Sequence, residues 1–467
     1  MLAEIFREYD IRGIVGEELL IDRVYDLGRA IATYLIQRNP RMRSVAVGMD
    51  GRVHSEAIRE QLVRAFADSG FDVTTIGLCT SPVLYFAMYT RHFDAGVMIT
   101  ASHNPKAYNG FKINLGKSSL WGDDIRAIRD IFFAGNYLNV PEEGVISEED
   151  IKTPYITWLA NNFAHLKGVS VNCVMDCGNG AAGSVVPQLV AAMNWSDVEL
   201  LYADIDGTYP HHEADPTVEK NMLDVRALLK SSPYTLGIGF DGDCDRVGAM
   251  TKEGVLVPGD QLLALFALSI AKKESDLSVV CDIKSSGALL DILAQNNIKA
   301  VMSPAGHSIV KQAMRREGAL LGGEMSGHFC FKDRFFGFDD GLYAALRIIE
   351  MLLESGESLS DALRVIPVKK SSPEYRMPWA EHRKHEAIDA VKNFYAPRID
   401  CTLITIDGVR VQTPYGWGLV RASNTQPKIT LRFESDTDEG LLKLKHEFYA
   451  LLKPLTDESV VREYLGL

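Results

Sequence analysis

The sequence predicts a multidomain α/β protein built on parallel or mixed β-sheets. Its 467 residues are too many for one core and predict about three or four domains of roughly 100–150 residues each. The composition, with 46% hydrophobic and 24% charged residues, is that of an ordinary globular protein. Apolar, strand-like runs alternate with helical stretches over most of the chain, which is typical of α/β folds.

One pattern of strand, helix and strand recurs three times along the chain. In each copy an apolar strand ends in small or polar residues, at 45–51, 171–180 and 279–285. A second strand follows in each copy, at 72–76, 198–202 and 298–302. A third strand then leads into a polar loop. Three copies in register indicate internal triplication, and their loops gather at one edge of each sheet, where α/β proteins bind ligands.

Domain boundaries follow changes in composition. Three segments separate the parts of the chain. They are an acidic segment with Pro and Gly (141–150), a turn (252–254) before an expected helix cap at Asp260, and a Pro-rich run (367–378). The last part differs in pattern and predicts a small α+β domain, with strands near 403–406 and 428–433 and a helix near 439–452. We therefore expect α/β domains at 1–150, 151–253 and 254–368, and an α+β domain at 369–467.

Charge and cysteine content narrow the class of protein. The net charge of −13 argues against nucleic acid or an anionic membrane as the main partner, so an anionic substrate needs local cationic clusters. The seven cysteines are scattered, and Cys173 and Cys177 fit no common zinc spacing, which favours reduced thiols. The N-terminus is charged, and the longest apolar stretch (262–271) is about half a membrane span. We expect a soluble, cytoplasmic protein.

Three aspartates at alternate positions form a candidate metal loop. Asp241, Asp243 and Asp245 offer oxygen ligands on one side of a tight turn, and Arg246 stands beside them. Such a set leaves coordination positions open, as Mg²⁺ prefers when it also holds a phosphate. A polar turn and a calcium loop are the alternatives, but no glutamate stands at the twelfth position of a calcium loop. Cys244 is not an expected ligand, because a thiolate is too soft.

A candidate nucleophile follows the apolar strand 95–99. Ser102 stands at a strand end, where a turn or helix cap is the alternative interpretation. With the metal loop it predicts a phosphoserine that completes the metal site. His103 is either a hydrogen-bonding neighbour or a packed turn residue. Lys112, after an expected Asn109-Gly110 turn, is placed to reach the phosphate.

The cations that the net charge demands stand at loop positions. Arg12 lies three positions after Tyr9, and Lys284 ends a strand. Arg421 and Arg432 lie on either side of a loop of the last domain. That loop offers a guanidinium, hydroxyls and an amide that fit a phosphate which does not react, although an ordinary polar loop is equally compatible. Its candidate residues are Arg421, Ser423, Asn424 and Thr425.

A glycine-bounded segment supplies groups suited to a sugar. Glu324 and Ser326 offer a carboxylate and a hydroxyl for sugar hydroxyls, and the flanking glycines allow close approach. The alternative is a tight turn with a solvated glutamate. His328 is either a proton donor or a packed ring.

Taken together, these stretches resemble the α-D-phosphohexomutase superfamily, most closely its bacterial phosphomannomutase/phosphoglucomutase branch. The resemblance covers the whole chain and is carried, in order, by segments 9–13, 100–105, 241–246, 323–328 and 421–425. Cys244 stands where relatives often have glycine, which we expect to tune the turn without removing a ligand.

The resemblance implies four domains around a central cleft and reversible phosphoryl transfer between the 1- and 6-positions of mannose and glucose phosphates. It implies phosphoserine at Ser102, one Mg²⁺ held by the phosphoserine and the three aspartates, and hexose 1,6-bisphosphate as intermediate and activator. The implied catalytic residues are Arg12, Ser102, His103, Lys112, Arg246 and His328. The implied substrate contacts are Tyr9, Lys284, His307, Glu324, Ser326, His328, Arg421, Ser423, Asn424 and Thr425.

Three alternatives remain within this interpretation. A phosphoglucosamine mutase runs the same chemistry, but the resemblance associates Met325 with mannose and glucose substrates. A non-catalytic phosphoprotein of the same fold is expected to lose Ser102 or an aspartate of the metal loop, and this chain keeps them. A metal-dependent phosphatase would not need the Arg421 loop. We expect hexose phosphates as substrates and no nucleic acid, membrane or obligate protein partner.

Overall fold

The structure, a computed structural model, describes residues 1–423 and 427–467. Contacts within the chain divide it into two compact units. The first unit contains residues 1–262 and 326–363, and the second contains residues 263–325 and 364–467.

The first unit opens with a mixed sheet. Its strands are β1 (Ile11–Ile14), β2 (Ser44–Met49), β3 (Asp72–Leu78), β4 (Ala95–Ile99), β5 (Tyr108–Leu115), β6 (Ser118–Ser119) and β7 (Ile146–Glu148). Its helices are α1 (Val24–Arg38), α2 (Ser55–Asp68), α3 (Ser81–Thr90) and α4 (Asp123–Ala134). The strand order is β1-β5-β4-β2-β3-β7, with β6 paired to β5. Strand β5 runs antiparallel to both β4 and β1.

A second sheet follows in the same unit. Its strands are β8 (Cys173–Asp176), β9 (Val198–Leu201), β10 (Leu236–Phe240), β11 (Val247–Thr251) and β12 (Leu256–Val257), in the order β12-β11-β10-β8-β9. Its helices are α5 (Lys152–Asn162), α6 (Val186–Ala192) and α7 (Leu223–Ser231).

The second unit begins within helix α8 (Gly259–Ala271) and carries a parallel sheet. Its strands β13 (Ser278–Asp282), β14 (Lys299–Ser303) and β15 (Leu321–Gly323) alternate with helices α9 (Gly287–Gln295) and α10 (His307–Glu317). The chain then returns to the first unit with β16 (Phe329–Phe331), α11 (Gly341–Ser355) and α12 (Leu359–Ala362).

An antiparallel sheet completes the second unit. Its strands are β17 (Lys370–Ser371), β18 (Tyr375–Pro378), β19 (Thr402–Ile404), β20 (Val409–Thr413), β21 (Gly416–Ala422) and β22 (Lys428–Ser435). Helices α13 (Lys384–Tyr395), α14 (Asp438–Leu452) and α15 (Glu458–Leu465) accompany it. The strand order is β17-β22-β21-β20-β19, with β18 paired to β22. This α+β arrangement agrees with the expectation for the last part of the chain.

The predicted triplication is visible in the strand order. Each of the first three sheets contains one parallel triplet, β3-β2-β4, β9-β8-β10 or β14-β13-β15. In every triplet the strand that comes first in the chain lies in the middle. The third strand leads in turn to Ser102, Asp241 and Glu324, so the same position of each copy carries a polar loop.

Apolar spacing explains how the helices pack. In α1 the buried residues Leu27, Ile31 and Leu35 recur every fourth position and form one face of the helix. The matching face of α2 contains Ile58 and Leu62, and both faces belong to one apolar cluster. Among the described residues, no helix combines the length and the apolar character needed to cross a bilayer.

Two local expectations are wrong. Asn109 and Gly110 lie inside β5 instead of forming a turn, because this strand pairs with β1, which the sequence pattern did not predict. A Cβ on Gly110 would lie 2.2 Å from the carbonyl oxygen of Ile11, so the glycine serves close strand contact. Asp260 lies in the first turn of α8 and not before it.

Candidate active site

Ser102 lies in the loop after β4, with its hydroxyl against the carboxylate loop. Its Oγ donates a hydrogen bond to Oδ2 of Asp241 at 2.6 Å and lies 3.1 Å from Nδ1 of His103. The residue is 2% exposed and has a φ of +50°, a left-handed conformation that is uncommon for a residue with a side chain. Thr100 Oγ1 accepts a hydrogen bond from the Ser102 N–H at 2.8 Å. The loop therefore holds the serine in a strained but defined position.

The three aspartates after β10 converge on one point. Asp241, Asp243 and Asp245 are fully buried, and each offers an oxygen within 4.8 Å of those of the other two. Lys112 Nζ binds Oδ2 of Asp243 at 2.6 Å and Oδ2 of Asp245 at 2.5 Å. Within the described residues, the Oδ1 atoms of Asp243 and Asp245 accept no hydrogen bond. Buried, unpaired carboxylate oxygens are costly, and they fit the oxygen preference of a divalent cation.

The charges around the aspartates also fit a site for a divalent cation. Burial, together with Asp243 and Asp245, raises the pKa of Asp241 well above its ordinary value. Burial alone would also raise the pKa of Asp243, but the charge of Lys112 holds that pKa below its ordinary value. The site therefore carries more carboxylates than its single lysine neutralises.

Cys244 sits at the turn of the carboxylate loop. It is fully buried with a φ of +61°, the conformation in which glycine is favoured. Burial, followed by the charge of Asp340, raises the pKa of its thiol well above the ordinary value. It is a free thiol, and a protonated thiol is a poor metal ligand.

Arg246 and His328 lie side by side at the far end of this loop. Arg246 Nε donates to His328 Nε2 at 2.9 Å, and the Arg246 N–H donates to Asp241 Oδ1 at 3.1 Å. The other ring nitrogen, Nδ1, lies 3.2 Å from Asp339 and 3.5 Å from Asp245. Since Nε2 accepts, Nδ1 is the nitrogen that carries the proton toward these carboxylates.

Arg12 holds the serine loop from the side of β1. Its guanidinium donates to the carbonyl of Ala101 at 3.1 Å and to Oδ1 of Asn104 at 2.6 Å, and it pairs with Asp10. Tyr9 is half-buried in the bend before β1. The structure thus brings Arg12 to the loop of the candidate nucleophile.

His103 is held neutral beside the serine. Burial is the largest cause that lowers its pKa well below the ordinary value, and the charges of Arg246 and Arg12 lower the pKa further. A neutral ring 3.1 Å from the serine Oγ can accept a hydrogen bond or a proton.

Three of the remaining predicted substrate contacts, Lys284, His307 and Glu324, belong to the second unit. Glu324 Oε1 accepts a hydrogen bond from the N–H of Gly306 at 2.7 Å, and burial raises the pKa of its carboxyl group. Lys284 Nζ lies 3.4 Å from Glu374. His307 is the first residue of α10. Ser326 is half-buried and belongs to the first unit.

The predicted phosphate loop is described in part. Arg421 ends near Asp407, with an N–O distance of 3.0 Å, and the Ser423 carbonyl accepts from Lys384 Nζ at 2.7 Å. Asn424 and Thr425 lie outside the described residues.

Sequence reasoning missed Ser81, at the start of α3. Its hydroxyl donates to Oδ2 of Asp243 and its N–H donates to the carbonyl of the same residue at 3.0 Å. Thr80 and Pro82 are recognisable helix-start signals. They predict a helix here, but they contain no information about the partner, which is far away in the chain.

An ion pair between His212 and Asp176, at the end of β8, predicts how the stability of the protein depends on pH. His212 Nε2 lies 3.0 Å from Asp176 at the end of β8, and although burial alone would lower the pKa of His212, this carboxylate raises it. Because the folded pKa is the higher one, the pair stabilises the protein below the unfolded value near 6.5, and the contribution disappears as the pH rises through the folded value. We expect His212→Gln to lower the melting temperature more at about pH 5.5 than at about pH 8.

Thermal melts of both proteins at the two pH values test this expectation. His382→Gln, a change in the second unit, is the control for loss of a histidine. An equal loss at both pH values for His212→Gln would contradict it.

Fold and site together define a class: a repeated α/β protein in which a buried serine adjoins a site for a divalent cation. Sequence comparison supplies the family. Four profiles described as phosphoglucomutase/phosphomannomutase match in chain order: alpha/beta/alpha domain I at residues 3–138, domain II at 153–254, domain III at 258–368 and the C-terminal domain at 374–451. The chain belongs to the phosphoglucomutase/phosphomannomutase family.

Individual relatives align over nearly the whole chain. A phosphomannomutase/phosphoglucomutase of Pseudomonas syringae is 39% identical, covering 97% of this chain and 96% of its own. A phosphoglucomutase of Neisseria meningitidis is 38% identical, covering 96% and 97%. The crystal structure of a phosphoglucomutase/phosphomannomutase family protein from Burkholderia thailandensis superposes with a TM-score of 0.90 at 33% identity, covering 97% and 98%.

Proposed function

We propose that this protein is a phosphomannomutase/phosphoglucomutase, an isomerase that moves a phosphoryl group reversibly between the 1- and 6-positions of mannose and glucose phosphates. The observation that carries the proposal is the contact between Ser102 and the buried carboxylates, where the serine Oγ lies 2.6 Å from Asp241. Family membership and relatives with this name support it.

One Mg²⁺ per chain fits the carboxylate site. The carboxylates of Asp241, Asp243 and Asp245 would hold it, with phosphorylated Ser102 as the further ligand. Bound there, the ion supplies charge neutralisation for the phosphoryl oxygens. Lys112 binds one oxygen, Oδ2, of each of Asp243 and Asp245, which leaves the other oxygen of each carboxylate available.

The reaction follows in two phosphoryl transfers. In the first, a hydroxyl of the hexose phosphate attacks the phosphorus of phosphoserine 102. The sugar O–P bond forms, the Oγ–P bond breaks, and the proton of the sugar hydroxyl passes to the released Ser102 Oγ. The resulting hexose 1,6-bisphosphate turns over, and Ser102 Oγ attacks its other phosphoryl group. The Oγ–P bond forms, the sugar O–P bond breaks, and the serine proton passes to the released sugar oxygen by way of a neighbour of Oγ, Asp241 or His103. Positioning and charge provide most of the rate, since this transfer needs little other chemistry.

Other residues take supporting roles in the proposal. Arg12 holds the serine loop, and Arg246 with His328 borders the reacting phosphoryl group. We assign the sugar hydroxyls to Glu324 and Ser326. The proposed phosphate and further substrate contacts are Tyr9, Lys284, His307, Arg421, Ser423, Asn424 and Thr425.

The wider setting is also a proposal. We propose a cytoplasmic enzyme that acts on hexose phosphates without nucleic acid, membrane or an obligate protein partner. Hexose 1,6-bisphosphate serves as activator, because it phosphorylates an enzyme that has lost its phosphate. The four domains are proposed at 1–150, 151–253, 254–368 and 369–467.

Two measurements on the purified protein test the proposed function. Conversion of mannose 1-phosphate to the 6-phosphate is assayed with Mg²⁺ and glucose 1,6-bisphosphate. Intact-mass analysis should show one covalent phosphate, and the masses of proteolytic fragments should place it on Ser102. Absence of turnover with mannose and glucose phosphates would refute the proposal. Strong preference for glucosamine phosphate would instead identify the alternative phosphoglucosamine mutase.

The two orientations of the bisphosphate predict which sugars are accepted. A half-turn about the middle of the C3–C4 bond exchanges the 3- and 4-hydroxyls, so Glu324 and Ser326 can serve both orientations by binding O3 and O4. The same half-turn exchanges C2 with C5, so a fixed protein group cannot bind the 2-hydroxyl in both orientations. We expect similar kcat/KM for mannose 1-phosphate and glucose 1-phosphate, which differ at C2.

Galactose 1-phosphate, with an axial 4-hydroxyl, is the discriminating substrate. Losing a hydrogen bond to a charged group costs about 1.5–3 kcal/mol, so we expect kcat/KM to be lower by roughly tenfold to 150-fold. Steady-state assays that compare kcat/KM for the three sugar phosphates test this expectation. Good turnover of the galactose compound, or strong preference for one C2 epimer, would contradict the expectation.

A further inference from the structure

We propose that Arg52, which follows β2, is a positioning residue that sets the conformation of the serine loop for phosphoryl transfer. This inference rests on the proposed mutase function. The guanidinium donates from Nη2 to the carbonyls of Ser102 at 2.7 Å and Asn104 at 2.6 Å. It donates from Nη1 to the carbonyls of Pro105 at 2.9 Å and Tyr108 at 3.0 Å. One side chain thus binds four carbonyls of the loop that carries the nucleophile.

The guanidinium is itself fixed from behind. Its Nε lies 3.2 Å from Asp50, and both side chains are fully buried. Asp50 also accepts hydrogen bonds from the Arg52 N–H at 3.0 Å and from Ser55 Oγ at 2.7 Å. A buried charge with this many partners has one orientation, and charge-assisted hydrogen bonds are stronger than neutral ones.

The hydrogen bonds to Arg52 fix the orientation of the peptide group between Ser102 and His103. In a trans peptide the C=O and the following N–H point in opposite directions. With the Ser102 carbonyl directed at Arg52, the N–H of His103 points away from the guanidinium. The left-handed φ of Ser102, +50°, is a conformation that persists where the surroundings enforce it. Arg52 supplies that enforcement.

The same carbonyl also limits the distance to the carboxylate loop. A Cβ on Gly242 would lie 2.3 Å from the Ser102 carbonyl oxygen, so the two loops touch at this point. The ring of Tyr209 lies beneath Arg52, with its centroid 5.3 Å from Cζ, and the Tyr209 hydroxyl lies 3.1 Å from the same added Cβ. Arg52 therefore stands where the serine loop meets the carboxylate loop.

These contacts predict an effect on turnover and not on substrate affinity. The hydrogen bonds of the Arg52 guanidinium that the structure describes go to backbone carbonyls of residues 102–108, the segment that carries the nucleophile. Misplacement of a reacting group by about 1 Å can lower a rate by about 100-fold. The loss should therefore appear in kcat, with KM nearly unchanged.

Arg52→Lys is the informative variant, because it keeps the charge and loses the planar fork that reaches four carbonyls. Arg347→Lys is the matched control. Arg347, in α11, is 4% exposed, and its hydrogen bonds go to Asp333 at 2.9 Å and to the hydroxyl of Tyr343 at 3.3 Å. We expect both variants to lower the melting temperature. For Arg52→Lys we expect kcat, per folded protein, to fall roughly tenfold to 100-fold with KM within about twofold, and for Arg347→Lys we expect kcat to be unchanged.

A single-turnover measurement separates positioning from stability. Dephosphorylated protein is mixed with glucose 1,6-bisphosphate, and intact mass follows the appearance of phosphoserine. The rate should fall in Arg52→Lys by the same factor as kcat and stay unchanged in Arg347→Lys. Should Arg52→Lys not fold, Asp50→Asn, which loosens the arginine and keeps its side chain, is expected to show a smaller decrease in the same two quantities.

The outcomes separate the inference from the proposed function. Equal kcat losses in Arg52→Lys and Arg347→Lys, or a raised KM at unchanged kcat, would assign Arg52 a structural role and overturn the inference alone. An inactive wild-type protein would overturn the mutase function, and the inference with it.

Discussion

Ser102→Ala is expected to lower kcat by about 10³-fold or more while the protein stays folded. The hydroxyl is the group that carries the phosphoryl moiety in the proposed mechanism, and loss of a covalent nucleophile removes most of an enzyme's turnover. Stability should change little, because the serine lies in a loop and the neighbouring Arg12 and Thr100 keep their contacts with the backbone. Steady-state kinetics, melting temperature and intact mass measure the three parts of the expectation.

Ser118→Ala is the control for this substitution, since Ser118 is an exposed residue of β6 in the same sheet. It should keep both turnover and the phosphate. Near-normal turnover of Ser102→Ala, with phosphate found on another residue, would refute the assignment of the nucleophile.

Asp243→Asn is expected to lower the affinity for Mg²⁺ by at least about 100-fold and to abolish most activity. Loss of a supporting partner of a metal ligand already lowers affinity by about 10–100-fold, so loss of a direct ligand should lower it more. The amide also puts an N–H₂ group among Lys112 and Ser81, which both donate to Oδ2 of Asp243. Isothermal titration with Mg²⁺ gives a readout that does not depend on turnover.

Asp130→Asn removes the same charge from an exposed side chain of α4 that pairs with Arg129. It should bind Mg²⁺ as the wild type does. Unchanged Mg²⁺ affinity in Asp243→Asn would show that the three aspartates do not form the metal site.

Much of the fold and the location of the site follow from local sequence patterns. Ser102 and Asp241 were predicted to lie at strand ends, because apolar runs followed by polar loops mark the carboxyl edge of a parallel sheet. The alternating aspartates were predicted to converge because a tight turn directs carboxylates at alternate positions to one side. The structure places these residues in contact, with their separation of 139 positions in the chain bridged by one hydrogen bond.

Contacts between distant segments were not predictable in this way. Ser81 reads as the start of a helix, and Arg52 reads as an ordinary charge after a strand, yet each binds a loop far away in the chain. The Asn109-Gly110 pair is a strong turn signal, and pairing with β1 overrides it. Such preferences are decided by packing partners, which a single sequence does not display.

The contact between Gly242 and the Ser102 carbonyl has a consequence for how activity arises during folding. The two residues lie in loops that follow strands of different sheets, and each sheet buries its own apolar residues. The nucleophile and the carboxylates exist as a pair once these two sheets have docked, a step that joins distant parts of the chain and therefore tends to come late. Catalysis is thus a property of the assembled interface. Substitutions that weaken the packing between the two sheets should therefore lower activity even where every reactive side chain is intact.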